Sequence, residues 1–217
     1  LRLLLALVDD LGFHLAQEFY WLNPAKMPVP AEWVTVRRIR VKDSVEHCWW
    51  LSKTPWPKAD NRRVLVPYSA DMERLIKKGY RAKERPSGHV ITEKWGKDQG
   101  GAIPGNALIF GNNDSNGDYI RRCQQAGFKP HPARFPPNLP DFFIQLLTEP
   151  EDLVVDIFAG SNTTGMVAER LGRRWIAFEM REDYLQASRF RFGAPPLPEE
   201  AEVGGSDVAH AQGTLDL

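Results

Sequence analysis

Residues 153–179 carry the pattern that most restricts how this chain can fold. The apolar run Leu153-Val-Val-Asp156 ends in an acid and opens onto Ile157-Phe-Ala-Gly-Ser-Asn-Thr-Thr-Gly165, a turn of small and hydroxylated residues. A second apolar run, Trp175-Ile-Ala-Phe178, ends in Glu179, about 20 residues beyond Asp156, the spacing at which a βαβ unit sets an acid on a ribose. Gly160 can adopt backbone angles that a Cβ forbids and admits a ligand close to the chain, while the following helix starts with unpaired N–H groups. The glycines stand at 160 and 165 with Ser161, Asn162, Thr163 and Thr164 between them, so the G-x-G-x-x-G pyrophosphate fingerprint is not matched. From these residues alone, a nucleoside site and a bare strand–turn–helix without ligand both stand.

The stretch Asp156-Ile-Phe-Ala-Gly-Ser-Asn-Thr-Thr-Gly165 resembles the D-P-F-x-G-S-G-T-T-x loop of the amino-group DNA methyltransferases, which methylate the exocyclic N4 of cytosine or N6 of adenine. It departs from that loop at Ile157 for Pro and at Asn162 for Gly. His131-Pro-Ala-Arg-Phe-Pro-Pro-Asn-Leu-Pro140 resembles the family segment that closes the methionine end of S-adenosylmethionine, and Leu171 to Tyr184 resembles the second strand, the ribose-binding acid and the next helix. Val45 to Thr54 resembles the strand that follows the catalytic region. The resemblance covers about residues 1–192 and implies a Rossmann-like α/β methyltransferase fold with an incomplete sheet and an inserted irregular target-recognition region. It implies S-adenosylmethionine as cofactor. Asp156 would contact the methionine ammonium, Gly160, Ser161, Asn162, Thr163 and Thr164 would wrap the methionine end, Glu179 would hold the ribose hydroxyls and Met180 would flank the adenine. Phe135 and Pro136 would close the methionine side, with Phe158 also at the cofactor.

The late cofactor loop matches the permuted motif order, in which the catalytic half comes first. The family's catalytic tetrapeptide, Ser or Asp followed by Pro-Pro and an aromatic residue, is missing: Pro136-Pro137 is followed by Asn138 and Pro195-Pro196 by Leu197. The chain opens on Leu1 and runs into Leu3-Leu-Leu-Ala-Leu-Val8, closed by Asp9-Asp10 and Gly12, which reads as the tail of a helix that begins upstream. The expectation is a chain cut before its catalytic motif, inactive alone, with no catalytic residue of its own. Cytosine-N4 is favoured as target, on the Trp49-Trp50-Leu-Ser-Lys-Thr-Pro-Trp56 neighbourhood, with adenine-N6 as the alternative.

The formal net charge is zero, yet residues 32–97 hold 16 Lys or Arg against 8 Asp or Glu, and residues 193–217 hold five acids and no Lys or Arg. Arg37, Arg38, Arg40, Lys42, Lys53, Lys58, Arg62 and Arg63 alternate with Trp33, Trp49, Trp50 and Trp56, which suits a surface that neutralises phosphates and stacks on bases. Of these, Arg37, Arg38, Arg40, Lys53, Lys58, Arg62 and Arg63 are expected to contact double-stranded DNA, and a cognate restriction endonuclease is a further expected partner. The same charges suit a solvated face, and Trp49-Trp50 suits a core. Cys48 and Cys123 are too few and too separated for a disulfide framework or a zinc site, so reduced packing thiols in a cytoplasm are expected, and the resemblance implies a bacterial or phage-encoded protein. No metal is implied. No stretch approaches the ~20 apolar residues that cross a bilayer, so no membrane partner is expected.

Along the chain the pattern predicts helix over 1–11, strand over 13–21, loop over 23–30, a mixed basic segment over 34–40, strand over 46–52, loop over 54–67 and helix over 71–78. Residues 80–118 show little periodicity and read as the heart of an inserted region. Helix follows over 139–148, strand over 153–158, helix over 163–171, strand over 175–179 and helix over 182–192. The division is a catalytic-region remainder over 1–79, a target-recognition insertion over 80–130, an S-adenosylmethionine-binding region over 131–192 and a disordered acidic tail over 193–217. Two other classes remain compatible: a nicotinamide or flavin oxidoreductase built on a Rossmann unit, and a DNA-binding remnant without catalysis. An RNA methyltransferase is a weaker rival.

Overall fold

In the computed structural model the described residues are 2–79, 83–84, 86, 90–91, 96–112 and 117–193. The expected acidic tail lies almost wholly outside them, as does much of 80–118. A short helix, α1 (Arg2–Leu5), continues as a π-helical turn over Ala6–Asp10, so the expected N-terminal helix is present in two geometries. Strand β1 (His14–Leu22) then pairs antiparallel with β2 (Val45–Ser52), from His14 opposite Ser52 to Leu22 opposite Val45, with a register shift between Leu15 and Gln17. Between them a π-helical turn over Glu32–Val36 leads into the basic residues Arg37, Arg38 and Arg40. Helix α2 (Ala70–Lys78) covers the helix expected over 71–78, with acids in the first turn and Lys77 and Lys78 in the last, and the structure adds a cap in which the Ser69 hydroxyl accepts from the Met72 N–H.

Two pieces of the stretch expected to be irregular are ordered. Strands β3 (Lys83–Glu84) and β4 (Val90–Ile91) form a small antiparallel pair. Strand β5 (Ala107–Ile109) joins β1 in parallel, giving the sheet order β2-β1-β5, and Leu108 is buried beneath it while its neighbours are exposed. A three-residue strand between Gly105 and Gly111 is too short to show a period. Helix α3 (Asp118–Gln125) was also not anticipated; it buries Tyr119, Ile120 and Cys123 on one side.

Helix α4 (Asn138–Leu147) covers the first sheet. Its start carries Pro140 and Asp141, both suited to a first turn. Phe19 of β1, Leu108 of β5, Val64, Leu139 and Leu146 make the first core, and Phe19 meets Phe142 and Phe143 edge to face at 5.8 and 5.2 Å. Trp50 packs on this core, whereas Trp49 donates its indole N–H to Glu18 at 3.2 Å and Trp56 is 90% exposed. Trp50 thus takes the packing role that competed with a base-stacking one.

Behind α4 lies the βαβ unit: β6 (Leu153–Asp156), α5 (Thr163–Arg170) and β7 (Arg174–Ala177), the strands parallel with Asp156 opposite Ala177. Ile144, Val167 and Ala168 form its core with Val154 and Trp175. Among the described residues one face of the strand pair is covered, and Leu153, Val155, Ile157, Ile176 and Phe178 on the other are exposed. Among the described residues no strand joins β6-β7 to β2-β1-β5, so the α/β sheet is incomplete, as expected.

Helix α6 (Glu182–Ser188) and a 3-10 turn over Arg189–Phe192 return to α3, and Tyr119, Ile120, Cys123, Ala187 and Phe190 pack together as a further core. Cys123 is fully buried, in line with a packing role; Cys48 is half-buried. Burial pushes the Tyr119 phenol up to about 12. Its folded form therefore favours the neutral phenol, and the stability this contributes is intact below an unfolded value of about 10 and is lost as pH rises toward 12. In a tyrosinate absorbance titration of the folded protein, one phenol is expected to ionise near pH 12, and this step should vanish in Tyr119→Phe. Among the described residues no helix is long and apolar enough to cross a membrane, and no group of His, Cys, Asp and Glu could hold a metal ion.

Candidate functional site

The parallel register sets Asp156 at the end of β6 and carries β7 two residues further to Glu179. Between them the turn 157–162 folds back so that Ala159 N–H donates to the Phe178 carbonyl at 2.9 Å. Both acids are held by the chain itself. The Asp156 carboxylate accepts from the Phe158 N–H at 3.0 Å and from the Thr164 hydroxyl at 2.6 Å. One oxygen of Glu179 accepts from the Gly160 N–H at 2.8 Å and the other from the Arg181 N–H at 3.0 Å. Each oxygen keeps a lone pair for a further donor, so the two carboxylates are oriented without being saturated.

The interior of the loop explains its departure from the family pattern. Asn162 takes the left-handed conformation, φ 56°, where the resembled loop has glycine, and Asn is the side chain that best tolerates it. Its side-chain oxygen accepts from the Gly165 N–H at 3.1 Å, so the same residue caps α5. Gly165 is required by that cap: a Cβ there would stand 2.3 Å from the Asn162 oxygen and 2.8 Å from the Trp175 ring. Ser161, Asn162 and Thr163 are all buried, and their side chains bond within the loop and to Arg191 and Gly165.

The other expected cofactor residues divide. Phe158 and Met180 are 84% and 99% exposed and stand just past the ends of β6 and β7, flanking the carboxylates. Phe135 packs on the first core and Pro136 is buried at the start of α4, where its carbonyl accepts from the Leu139 N–H at 3.0 Å. It is His131, from the same segment, that reaches the loop: its ring would meet a Cβ on Gly160 at 3.2 Å. That ring lies edge-on to Tyr184 at 4.4 Å, and its Nδ1 is 2.6 Å from the Ala133 carbonyl. Arg191 also reaches the loop, donating to the carbonyl and hydroxyl of Ser161 at 2.7 and 2.9 Å. A cavity of about 170 Å³ runs behind the loop, lined by Gly160, Asn162, Trp175, Glu179, Leu185 and Phe192.

The basic residues expected at DNA lie on three segments. Arg37, Arg38 and Arg40 follow the π-helical turn, with Arg37 paired to Glu32 at 2.7 Å and lying over the Trp33 ring, Arg40 paired to Asp43 at 3.5 Å, and Arg38 in a left-handed conformation. Lys53 is exposed just past β2. Lys58, Arg62 and Arg63 sit at a 3-10 turn over Asn61–Val64. There Lys58 pairs with Asp152 and Glu149 at 3.0 and 3.2 Å, and Arg63 donates to Glu149 and to the Thr148 carbonyl. Arg62 grips Asp60, and its guanidinium holds that carboxyl down at about 2. Lys58 and Arg63 thus join this turn to the α4–β6 connection.

Known proteins fit this geometry. The family model for DNA methylases of the N6/N4 type matches residues 2–190. The type II methyltransferase M.PvuII of Proteus hauseri is 56% identical over 202 residues, covering 92% of this chain and 60% of that protein. The solved structure of the cytosine-N4-specific PvuII DNA methyltransferase superposes with a TM-score of 0.69 at 49% identity, over 88% of this chain and 55% of that one. The M1.HpyAVI–SAM complex, at 20% identity and a TM-score of 0.51, shares the fold. This chain spans about 60% of the length of the M.PvuII relative. With a family match over most of its residues and more than half of them identical to M.PvuII, the chain belongs to the N6/N4 DNA methylase family.

Proposed function

We propose that this chain forms the cofactor-binding part of a site-specific DNA methyltransferase that moves a methyl group from S-adenosylmethionine to an exocyclic amino group of a DNA base. Cytosine-N4 is the favoured target, in line with the PvuII enzyme's printed specificity, and adenine-N6 is the alternative. The observation that carries the reading is the pair of carboxylates, Asp156 and Glu179, pre-oriented on either side of the Gly160 loop.

The residues present suit the donor. Asp156 offers a carboxylate to an ammonium, Glu179 offers two acceptor oxygens to vicinal hydroxyls, and the exposed Phe158 and Met180 offer apolar surface beside them. Buried Gly160 leaves no side chain between the loop backbone and a ligand. S-adenosylmethionine supplies an electrophilic methyl group on a sulfonium. The acceptor amino group is a weak nucleophile because its lone pair is delocalised into the base, so an enzyme of this kind must extrude the base and accept hydrogen bonds from its NH₂. The resembled Ser/Asp-Pro-Pro-aromatic segment would do this, and this chain contains none. What it provides is binding and orientation of the donor.

Duplex DNA is the proposed partner. Exposed Arg38 and Lys53, which make no ion pair among the described residues, are the better-placed phosphate contacts, whereas Arg37, Arg40, Lys58, Arg62 and Arg63 would each have to share or release an acid of the chain to reach a phosphate. Service in a restriction-modification or orphan modification system belongs to the same proposal, with a cognate endonuclease as its companion in the first case.

Calorimetric titration and a tritiated-methyl assay test the reading together. The expected result is saturable binding of S-adenosylmethionine, none of NAD or FAD, and no label transferred to duplex DNA by the 217-residue chain. Dinucleotide binding without S-adenosylmethionine binding would favour an oxidoreductase, and methyl transfer by this chain alone would refute the division of labour.

A further inference from the structure

We infer that Arg191, seated on Tyr119, is a positioning residue for the cofactor loop, and that it acts through Ser161 and never touches the cofactor. What the loop holds rests on the methyl-donor reading; that Arg191 holds the loop does not. Arg191 lies in the 3-10 turn after α6, 30 residues from Ser161. Its Nε donates to the Ser161 carbonyl at 2.7 Å and its terminal nitrogen to the Ser161 hydroxyl at 2.9 Å, the two-pronged geometry that a guanidinium offers and an ammonium does not.

Burial makes the contact consequential. Ser161 is 3% exposed, so without Arg191 its carbonyl would be left in the interior with no donor in place of water. That carbonyl belongs to the peptide unit entering Asn162, the left-handed residue that caps α5. Fixing this peptide plane fixes how the loop enters the helix, and with it the direction of the N–H groups from 160 to 165. The hydroxyl contact works the same way. The same hydroxyl shares a hydrogen bond with Thr163 Oγ1, 3.2 Å away, which either hydroxyl can donate, so Arg191 also ties Ser161 to the first turn of α5.

Arg191 is itself held. Its guanidinium carbon lies 4.4 Å from the Tyr119 ring centre, in cation–π contact with a buried ring of α3. The Tyr119 hydroxyl accepts from the His131 N–H at 3.3 Å, and the His131 ring closes over Gly160. Helix α3 therefore grips the loop at two points: at Ser161 through Arg191 and at Gly160 through His131.

Amide hydrogen exchange by NMR, on the cofactor-free chain and beside calorimetry with S-adenosylmethionine, separates the outcomes. In Arg191→Ala the Gly160, Asn162 and Gly165 amides, each bonded within the site, should exchange roughly tenfold faster while those of β7 are unchanged, and cofactor affinity should fall roughly tenfold. Arg191→Lys should restore part of both, since it keeps the charge and loses the fork. Tyr119→Phe keeps the ring under Arg191 and loses only the acceptor of the His131 N–H, so the Asn162 and Gly165 amides should exchange within twofold of wild type while Gly160 is the one that speeds up, and Tyr119→Leu should resemble Arg191→Ala. Unchanged exchange at the three amides in Arg191→Ala overturns the inference, as does faster exchange throughout the chain, which marks general loosening. If the wild-type chain binds no S-adenosylmethionine while the three amides still respond, the clamp stands and the methyl-donor reading falls.

Discussion

Replacing Glu179 by Ala should reduce S-adenosylmethionine affinity by about 100-fold or more, a larger loss than at any other position in the site. Two effects add there. The ribose hydroxyls would lose a charged acceptor, each such bond contributing about 1.5–3 kcal/mol, and the buried Gly160 N–H would lose the carboxylate it donates to at 2.8 Å. Glu179→Gln keeps an acceptor oxygen for one of these and should fall between Ala and wild type. Asp156→Ala should also weaken binding, because the ammonium loses its counter-charge and the Thr164 hydroxyl its acceptor. Asp156→Asn, which retains an acceptor for Thr164, isolates the charge. Calorimetry gives the dissociation constants and circular dichroism checks that each variant is folded. Unaltered affinity in both Asp156→Ala and Glu179→Ala would remove the cofactor assignment.

These two acids were legible in the sequence because their signal is local: an apolar run ends, a Gly/Ser/Thr turn opens, and a second run ends in an acid at the spacing of one βαβ unit. Asn162 was legible as a departure from the resembled loop, and the left-handed geometry with its cap onto Gly165 supplies the reason. Other features depend on contacts the order of residues does not encode. Arg191 reads as one more charge in a basic turn until the fold brings it to Ser161. His131 was part of a recognised segment, yet the segment's resemblance pointed to Phe135 and Pro136, which the fold places on the first core and at the start of α4. Strand β5 escaped because three residues make no period and its partner β1 lies more than 80 residues upstream, as in the Trp21 to Phe110 hydrogen bond with its separation of 89. The basic segment was legible as charge but not as architecture. Lys58 and Arg63 turn out to bind the chain's own acids, a pairing across 86 to 94 residues.

Phe19→Ala should cost about 3–5 kcal/mol of unfolding free energy, the loss expected when a buried aromatic leaves a cavity. Phe19 is 3% exposed and is the β1 side chain that meets both Phe142 and Phe143 of α4. Helix α4 faces two ways: Leu139 and Leu146 pack toward Phe19, while Ile144 packs with Val167 and Ala168 of α5. Asp141 of α4 also accepts from Arg170 of α5 at 2.7 Å. Loosening α4 on its β1 side should therefore reach the βαβ unit that carries the cofactor loop. A domain's whole stability is about 5–15 kcal/mol, so this one substitution removes a large fraction of it. Urea unfolding followed by tryptophan fluorescence should show a lower midpoint in Phe19→Ala, and saturating S-adenosylmethionine should recover part of it, since a ligand that binds only the folded site stabilises by mass action. A wild-type midpoint in the variant would mean that β1 and α4 are not coupled as the three-ring contact implies. A lowered midpoint that cofactor does not raise would mean that the loop no longer forms once α4 is released.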